Sequence, residues 1–253
     1  MIDVHAHFAD EGYDFPEEWN KIRAAGVTRV ILAGDTLEHT AAHQSFCRDH
    51  DGAYFTTGIH PEHAALPLDS EDLENFQSLC KDPKCVAVGE IGLDYHYEGF
   101  DKQAQHRLFT AQLALAKECK LPVQIHSRDA CADTLAILRE HKECLQNGFL
   151  MHCYSYGAEN LNAFLQLGAY FSFGGVACFK NAKKVWESVA ACPLDRLLSE
   201  TDSPYLSPFR GEKNSPANIP VIVARLAELK GVSAEALALQ IEDNAERLFP
   251  RLK

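Results

Sequence analysis

Two histidines near the amino terminus, His5 and His7, lie two residues apart in a short apolar run. Alternate residues of a β-strand point to the same face, so both imidazoles can bind one cation. Taken alone, the pair is explained at least as well by two histidines that pack at the end of a strand. It predicts a metal site only if other polar residues of the chain meet it.

Four further polar residues each close an apolar run of the strand type: Glu90, His126, His152 and Asp202. Burial of one such group without a partner costs on the order of 1–3 kcal/mol, so six of them around one core need a common partner. A shared cation is such a partner, because imidazole and carboxylate suit Zn, Mn, Fe or Ni. A carboxylate can also bridge two ions about 3.5–4 Å apart, so we expect two divalent ions, with Mg, Mn and Zn as candidates.

Other polar residues lie close to these six in the sequence. Asp3 shares strand parity with His5, and Glu200 shares it with Asp202. We expect both to support ligands by hydrogen bonding rather than to bind a metal, although a solvated Asp3 is the alternative. His60 and Arg128 follow other apolar runs and are candidates for holding a phosphate oxygen or leaving group. For Arg128, an ion pair with a neighbouring carboxylate is the competing interpretation.

The remaining histidines fall on helical or loop segments, and we expect them at the surface: His39, His43, His50, His63, His106 and His141. Tyr95 and His96 follow the run that ends near Glu90. They are candidates for contact with a nucleotide base, although exposed loop aromatics often have no specific role.

Eight short apolar runs alternate with longer segments of helical periodicity. They cover residues 2–8, 27–33, 53–59, 86–90, 122–126, 149–153, 169–173 and 196–202. Helices are predicted over 103–118, 217–230 and, as an extra carboxyl-terminal helix, from 233 to about 248. This pattern predicts a single-domain (β/α)8 TIM barrel over residues 1–253, in which catalytic groups lie where the strands end.

Composition limits the class of protein further. The chain has 253 residues, 46% of them hydrophobic, and a formal net charge of −12, which argues against a general basic groove for nucleic acid. Bound divalent cations would have to hold any phosphate locally. The nine cysteines contain no CxxC pair and predict reduced core thiols. Neither a secretory signal nor a membrane span is predicted, so we expect a cytoplasmic monomer.

Several motifs together resemble one family, the TatD-like metal-dependent deoxyribonucleases of the amidohydrolase-type barrel superfamily. The resemblance covers nearly the whole chain. It rests on DVHAH at 3–7, GIHPEHA at 58–64, VAVGEIGLDYH at 86–96, LPVQIHSRDA at 121–130, MHCYS at 151–155, KNAKK at 180–184, LLSETDSPYL at 197–206 and EDNAERLF at 242–249.

The resemblance implies a ligand set. His5, His7 and Asp202 would bind one ion, and His126 and His152 would bind the second. Glu90 would bridge the two ions, where many relatives of the superfamily have a carbamylated lysine. Asp202 is also the implied general base, which makes Glu90 and Asp202 the expected catalytic residues.

The family also implies a substrate, namely single-stranded DNA trimmed from its 3′ end. A basic loop over 207–216, with Arg210 and Lys213, could guide a strand end. In the segment after His152, residues 154–157 read Tyr-Ser-Tyr-Gly, which delays the glycine that the family usually has there. Two alternatives stay open: a small-molecule metallohydrolase that cleaves amide or ester bonds, which the missing lysine disfavours, and a non-catalytic metal-binding barrel.

Overall fold

Eight parallel strands form one sheet whose spatial order follows the chain. A computed structural model describes residues 1–7, 15–64 and 70–253. Within these residues the strands are β1 (Ile2–Ala6), β2 (Arg29–Leu32), β3 (Ala53–Thr57), β4 (Cys85–Asp94), β5 (Val123–Arg128), β6 (Phe149–Met151), β7 (Ala169–Phe173) and β8 (Leu197–Ser199). Most of their residues are buried, as expected of a parallel sheet with helices on its outer face.

Helices alternate with the strands. In the described part of the chain they are α1 (Phe15–Ala24), α2 (Leu37–Asp49), α3 (Ser70–Cys80), α4 (Lys102–Cys119), α5 (Cys131–Glu140), α6 (Ala158–Leu165), α7 (Lys183–Ala191), α8 (Ile219–Lys230) and α9 (Ala234–Leu248). Side-chain caps begin several of them: the Thr36, Asp101 and Ser233 oxygens accept backbone N–H groups of α2, α4 and α9.

The eight-stranded sheet is nearly closed into a barrel, because backbone hydrogen bonds join β1 to the segment that follows β8. The backbone N–H of Asp202 donates to the His5 carbonyl at 3.0 Å, and that of His7 donates to the Ser203 carbonyl at 2.7 Å. The predicted (β/α)8 barrel is therefore confirmed. The same two bonds hold the segment after β8 beside His5 and His7.

Strand ends differ from the prediction. β4 continues to Asp94, because Leu93 and Asp94 pair with Ser127 and Arg128 of a β5 that is also longer than predicted. β8 ends at Ser199, three residues before Asp202, since the chain there turns toward β1. Phe8, the predicted last residue of the first strand, lies outside the described residues.

The extra carboxyl-terminal helix is also confirmed. α9 packs against α8, β8 and β1, and its buried Asn244 donates to the carbonyls of Leu194 and Leu197 at 2.7 and 2.8 Å. All nine cysteines are free thiols. Within the described ranges, no helix combines the length and apolar character that crossing a membrane requires.

Candidate metal centre

The six strand-end residues of the predicted ligand set meet at the carboxyl end of the barrel. His5 lies on β1, Glu90 within β4 and His126 within β5. The other three follow strands directly or within a few residues: His7, His152 and Asp202. His5 and Glu90 are almost fully buried. The barrel therefore brings together residues that are up to 197 positions apart in the chain.

The two oxygens of Glu90 face two different groups of histidines. Glu90 Oε2 lies 3.2 Å from His5 Nε2 and 3.3 Å from His7 Nε2. Glu90 Oε1 lies 2.7 Å from His126 Nδ1 and 2.6 Å from His152 Nε2. One carboxylate thus stands between two sets of nitrogen donors.

Asp202 completes the first of these sets. Its Oδ1 lies 3.8 Å from His5 Nε2 and 3.5 Å from His7 Nε2, and the two imidazole nitrogens are 3.1 Å apart. Asp202 has a φ of 55°, in the left-handed region that non-glycine residues seldom adopt. Such backbone strain concentrates at functional sites.

The second set contains His126 and His152, with His60 beside it. His126 Nδ1 and His152 Nε2 are 3.3 Å apart, and His60 Nε2 lies 3.7 Å from Glu90 Oε1. His60, Glu90 and His126 form a group whose ligand atoms are close enough to hold an ion. His60 therefore lies in a position either to bind a metal or to touch a phosphate held there.

Hydrogen bonds behind the cluster fix the orientation of the imidazoles. Gln124 Oε1 lies 2.9 Å from His5 Nδ1, and the Gln124 amide donates to the Val4 carbonyl. Asp94 Oδ2 lies 2.9 Å from His126 Nε2. Asp94 is not among the predicted site residues, because the predicted strand stopped at Glu90, whereas β4 continues to Asp94. The parity of residues 90, 92 and 94 would have placed it on the same face.

Asp3 and Glu200 both lie behind the cluster, in the supporting layer proposed for them. Asp3 is buried and accepts the backbone N–H groups of His5 and Thr201 at 3.2 and 3.0 Å. Glu200 is buried and accepts the Cys153 N–H at 2.6 Å, and its Oε2 lies 3.7 Å from His152 Nδ1. The solvated alternative for Asp3 is therefore wrong.

The carboxylates of the cluster favour their charged forms. Burial alone would raise the pKa of Glu90, but the surrounding imidazoles, His152 foremost, hold it well below its usual range. Burial likewise opposes ionisation of Asp202, yet its hydrogen bond with His7 and the charges nearby lower its pKa. Both groups are anionic at neutral pH.

Nearby carboxylates raise the pKa of the His7 and His152 imidazoles. Burial would lower the pKa of His7, but Asp202 and Glu90 raise it to about 10. The pKa of His152 is raised well above its usual value against the same burial penalty. His60 is different: burial, helped by His126, lowers its pKa to about 3. In the metal-free protein, protons on His7 and His152 thus occupy positions that cations could take.

A divalent cation fits these donors. Three overlapping groups have ligand atoms within 4.8 Å of one another: His5, Glu90 and His152; His5, His7 and Asp202; and His60, Glu90 and His126. His152 Nδ1 is buried without a hydrogen-bond partner. Imidazole favours transition ions, and carboxylate also suits Mg and Mn. The cluster is therefore a candidate metal centre of the kind that the sequence predicts.

Comparison with known proteins assigns the family. Residues 2–250 match the family described as TatD related DNase. The chain belongs to this family. It is 39% identical over 253 residues to the uncharacterized metal-dependent hydrolase YabD of Bacillus subtilis (strain 168), with 98% of each chain covered. The sequence resemblance is confirmed, and the protein stands among metal-dependent hydrolases.

Other TatD relatives have more specific names or solved structures. The 3′-5′ ssDNA/RNA exonuclease TatD of Klebsiella pneumoniae (strain 342) is 32% identical over 258 residues, which cover 98% of this chain and 97% of that protein. The crystal structure of YJJV, a TatD homolog from Escherichia coli K12, superposes with a TM-score of 0.93 at 30% identity, covering 99% and 98% of the two chains.

Two loops of this TatD-family barrel border the metal centre with exposed aromatic side chains. After β8, Tyr205 is 51% exposed and its ring centre lies 6.1 Å from that of His7. Phe209, Arg210 and Lys213 of the predicted basic loop are exposed farther along the same segment. After β4, Tyr97 and Phe100 are 56% and 41% exposed.

The two residues proposed for base contact, Tyr95 and His96, differ in exposure. The Tyr95 hydroxyl lies 2.7 Å from His106 Nε2 and donates to Asp133 at 2.8 Å, which ties Tyr95 to α4 and α5. Tyr95 is thus a structural residue, and Tyr97, two residues on, is the exposed ring. His96 is exposed and pairs with Asp129 at 3.0 Å.

Arg128 lies beside the metal centre but outside the ligand cluster. Its guanidinium carbon lies 5.3 Å from the centre of the Tyr97 ring, and Nη1 lies 3.4 Å from the Tyr97 hydroxyl. The alternative is an ion pair with Asp129 or another carboxylate. Among the described residues Asp129 pairs with His96, 3.0 Å away, and no ion pair of Arg128 is found. Arg128 keeps a position from which it could reach a phosphate.

The surface prediction is wrong for His43. This residue is 2% exposed on the inner face of α2, and both ring nitrogens lack a hydrogen-bond partner. Burial lowers its pKa to about 3, so the imidazole is neutral. A neutral ring packs as part of the interface between α2 and the barrel, a role that helical periodicity alone did not reveal.

Proposed function

We propose that the protein is a divalent-metal-dependent deoxyribonuclease that hydrolyses phosphodiester bonds of single-stranded DNA from the 3′ end. The observation that carries this proposal is the position of Glu90, whose two oxygens face two separate sets of donors. Such a bridging carboxylate is the feature expected of a two-ion phosphodiesterase.

The residues divide naturally between two ions. His5, His7 and Asp202 would hold one, His126 and His152 would hold the other, and Glu90 would touch both. When bound, the ions would neutralise charge on the phosphoryl group and lower the pKa of attacking water. Gln124 and Asp94 keep His5 and His126 aimed at the centre.

The chain supplies the groups for proton transfer and phosphate binding. Asp202 has a lowered pKa and is therefore present as a carboxylate that can accept a proton from attacking water. His60 is neutral at pH 7 and can hydrogen-bond a phosphate oxygen or ligate the second ion. Arg128 supplies a permanent positive charge next to the centre.

Two observations support nucleic acid as the substrate. Relatives at about one third identity, such as that from Klebsiella pneumoniae, are named 3′-5′ ssDNA/RNA exonucleases. The loop after β8 also combines exposed Tyr205 and Phe209 with Arg210 and Lys213. Stacking on aromatic rings with basic groups nearby is how proteins bind single strands without sequence preference.

The test is degradation of 5′-labelled single-stranded DNA by metal-stripped protein, with Mg, Mn or Zn returned one at a time. Glu90→Ala is the inactive control, and Glu118→Ala, an exposed position on α4, is the matched active control. We expect metal-restored shortening from the 3′ end by the wild type and Glu118→Ala alone. Intact DNA with every ion, alongside turnover of ester or amide substrates, would establish a small-molecule hydrolase instead.

A further inference from the structure

A cavity of about 510 Å³ opens next to the metal centre, between the segment after β3 and the loop after β4. Its walls include Glu62, two residues after His60, and Asp94, whose carboxylate also contacts His126. One side chain therefore belongs both to the cavity and to the support of the metal centre. The volume lies within the range of small-molecule sites, about 300–1,000 Å³.

The charge of this cavity is negative. Glu62, Asp94, Glu98 and Asp101 line it, and no Lys or Arg is found among its described lining residues. Like charges repel, so the cavity disfavours a phosphate group, in contrast to the basic loop after β8.

The aromatic part of the lining favours a flat ring. Tyr97 and Phe100 both line the cavity and are 56% and 41% exposed. Phe100 is held in place by stacking on Tyr95, with ring centres 4.6 Å apart. A base can stack on such rings, and carboxylates can accept hydrogen bonds from exocyclic amino groups or a sugar hydroxyl.

Arg128 does not line the cavity but lies beside it, because its guanidinium carbon is 5.3 Å from the ring centre of Tyr97, which does line it. It belongs to β5, two residues after His126. A phosphate held between the metal centre and Arg128 would therefore have the cavity on its far side. The part of the strand beyond a phosphate held there would then enter the cavity, whose lining carboxylates disfavour a second phosphate.

We propose that this cavity binds the terminal nucleoside of the strand, a base and deoxyribose with a free 3′-hydroxyl, and excludes a 3′-phosphate or a continuing chain. The inference rests on the proposed nuclease function and deepens it. It makes cleavage exonucleolytic for an electrostatic reason, since a terminal nucleoside carries no phosphate beyond the scissile one.

The first test compares two 5′-labelled oligonucleotides that differ only in a 3′-hydroxyl or a 3′-phosphate, with the metal-loaded protein. Two added negative charges near several carboxylates lead us to expect a preference of about tenfold or more for the hydroxyl end. Glu62→Gln/Glu98→Gln should reduce this ratio to about threefold or less. Glu118→Gln/Glu140→Gln, at helix ends on the opposite side of the barrel, removes the same charge and should keep the wild-type ratio.

A second measurement does not depend on catalysis. The amide resonance of Gly99, in the cavity wall, is followed while deoxycytidine or deoxycytidine 3′-phosphate is added to the Mg-loaded protein. We expect a saturable shift with the nucleoside, a weaker response to its 3′-phosphate, and loss of the nucleoside response in Tyr97→Ala.

The outcomes separate the two proposals. Cleavage of DNA without end preference, with Gly99 unresponsive, overturns the cavity assignment and leaves the nuclease intact. A Gly99 response to the nucleoside in a protein that degrades no DNA overturns the nuclease and retains the cavity as a nucleoside site. Intact DNA together with an unchanged Gly99 resonance overturns both the nuclease function and the cavity assignment.

Discussion

The proposed two-ion arrangement depends on Glu90, because each of its oxygens faces a different set of imidazoles. Glu90→Gln keeps the size of the side chain but removes the charge. We expect fewer bound ions per chain and a loss in kcat of about 1,000-fold or more, since bridging two ions is worth several kcal/mol. Metal content by mass spectrometry and single-turnover kinetics measure both effects. Wild-type metal content with wild-type kcat would contradict the bridging role.

Asp94 is expected to act through His126, whose Nε2 it contacts at 2.9 Å. Asp94→Asn should weaken metal binding and activity by about 10–100-fold, the usual effect of removing a partner behind a ligand histidine. Asp129→Asn is the matched control, because that exposed carboxylate contacts His96 rather than a ligand. Calorimetric metal titration of the two variants distinguishes them, and equal affinities would exclude the positioning role.

At the residue scale the sequence predicts much of the centre. His126 and Glu90 each close an apolar run, and strands of a barrel converge, so their meeting follows from position alone. Asp94 and the burial of His43 could not be predicted in the same way. Both depend on contacts between elements. Asp94 lies in the part of β4 that pairs with the neighbouring strand β5, and His43 lies on the face of α2 that packs inward.

Among the elements, β4 depends on close approach to β5 at Gly92. This glycine has a φ of 146°, and an added Cβ would lie 1.9 Å from the carbonyl oxygen of His126. Gly92→Ala should therefore destabilise the fold by more than the roughly 1–3 kcal/mol of backbone strain alone and should displace His126.

The control for this prediction is Gly99→Ala. Gly99 also has a positive φ, of 88°, but an added Cβ would meet nothing within 4 Å. Urea unfolding of both variants separates the clash from the strain that they share. If Gly92→Ala costs no more than Gly99→Ala, the packing of β4 on β5 is looser than the structure indicates.

The existence of each strand could be predicted, whereas the strand ends could not. Apolar runs mark buried strands, and all eight were found this way, with β7 matching at both ends. The ends of β4 and β5 are determined by the hydrogen bonds that these strands exchange with each other. Such long-range pairing leaves little local signal, and the same is true of the early end of β8.

For the whole molecule, a formal net charge of −12 raises the question of how it would hold the proposed anionic substrate. The described residues suggest a division of the barrel mouth. Exposed Arg210 and Lys213 lie on the loop after β8, and the carboxylates of Glu62 and Glu98 lie on the other side, toward β3 and β4. Cations bound between these two sides would reverse the local field, so binding of nucleic acid should depend on the metal.

Protons and metal ions should compete for His7, and this competition should affect the stability of the whole protein. In the metal-free protein, burial would lower the pKa of His7, but Asp202 and Glu90 raise it to about 10. Because this pKa is higher in the folded than in the unfolded state, protonation of His7 stabilises the folded state. The contribution is complete below the unfolded pKa of about 6.5 and is lost as the pH rises through about 10. An ion can bind the nitrogen only after the proton leaves, so its affinity increases with pH.

Thermal unfolding of metal-free and metal-loaded protein at pH 6.5 and pH 9 tests this competition. We expect the Tm of the metal-free wild type to decrease from pH 6.5 to pH 9 by more than the Tm of His7→Gln does. We also expect a saturating ion to stabilise the wild type more at pH 9 than at pH 6.5. His63→Gln, an exposed position after β3, should behave as the wild type does. If the ion stabilises the protein more at pH 6.5 than at pH 9, protons and cations do not share this site, and the histidines are not its ligands.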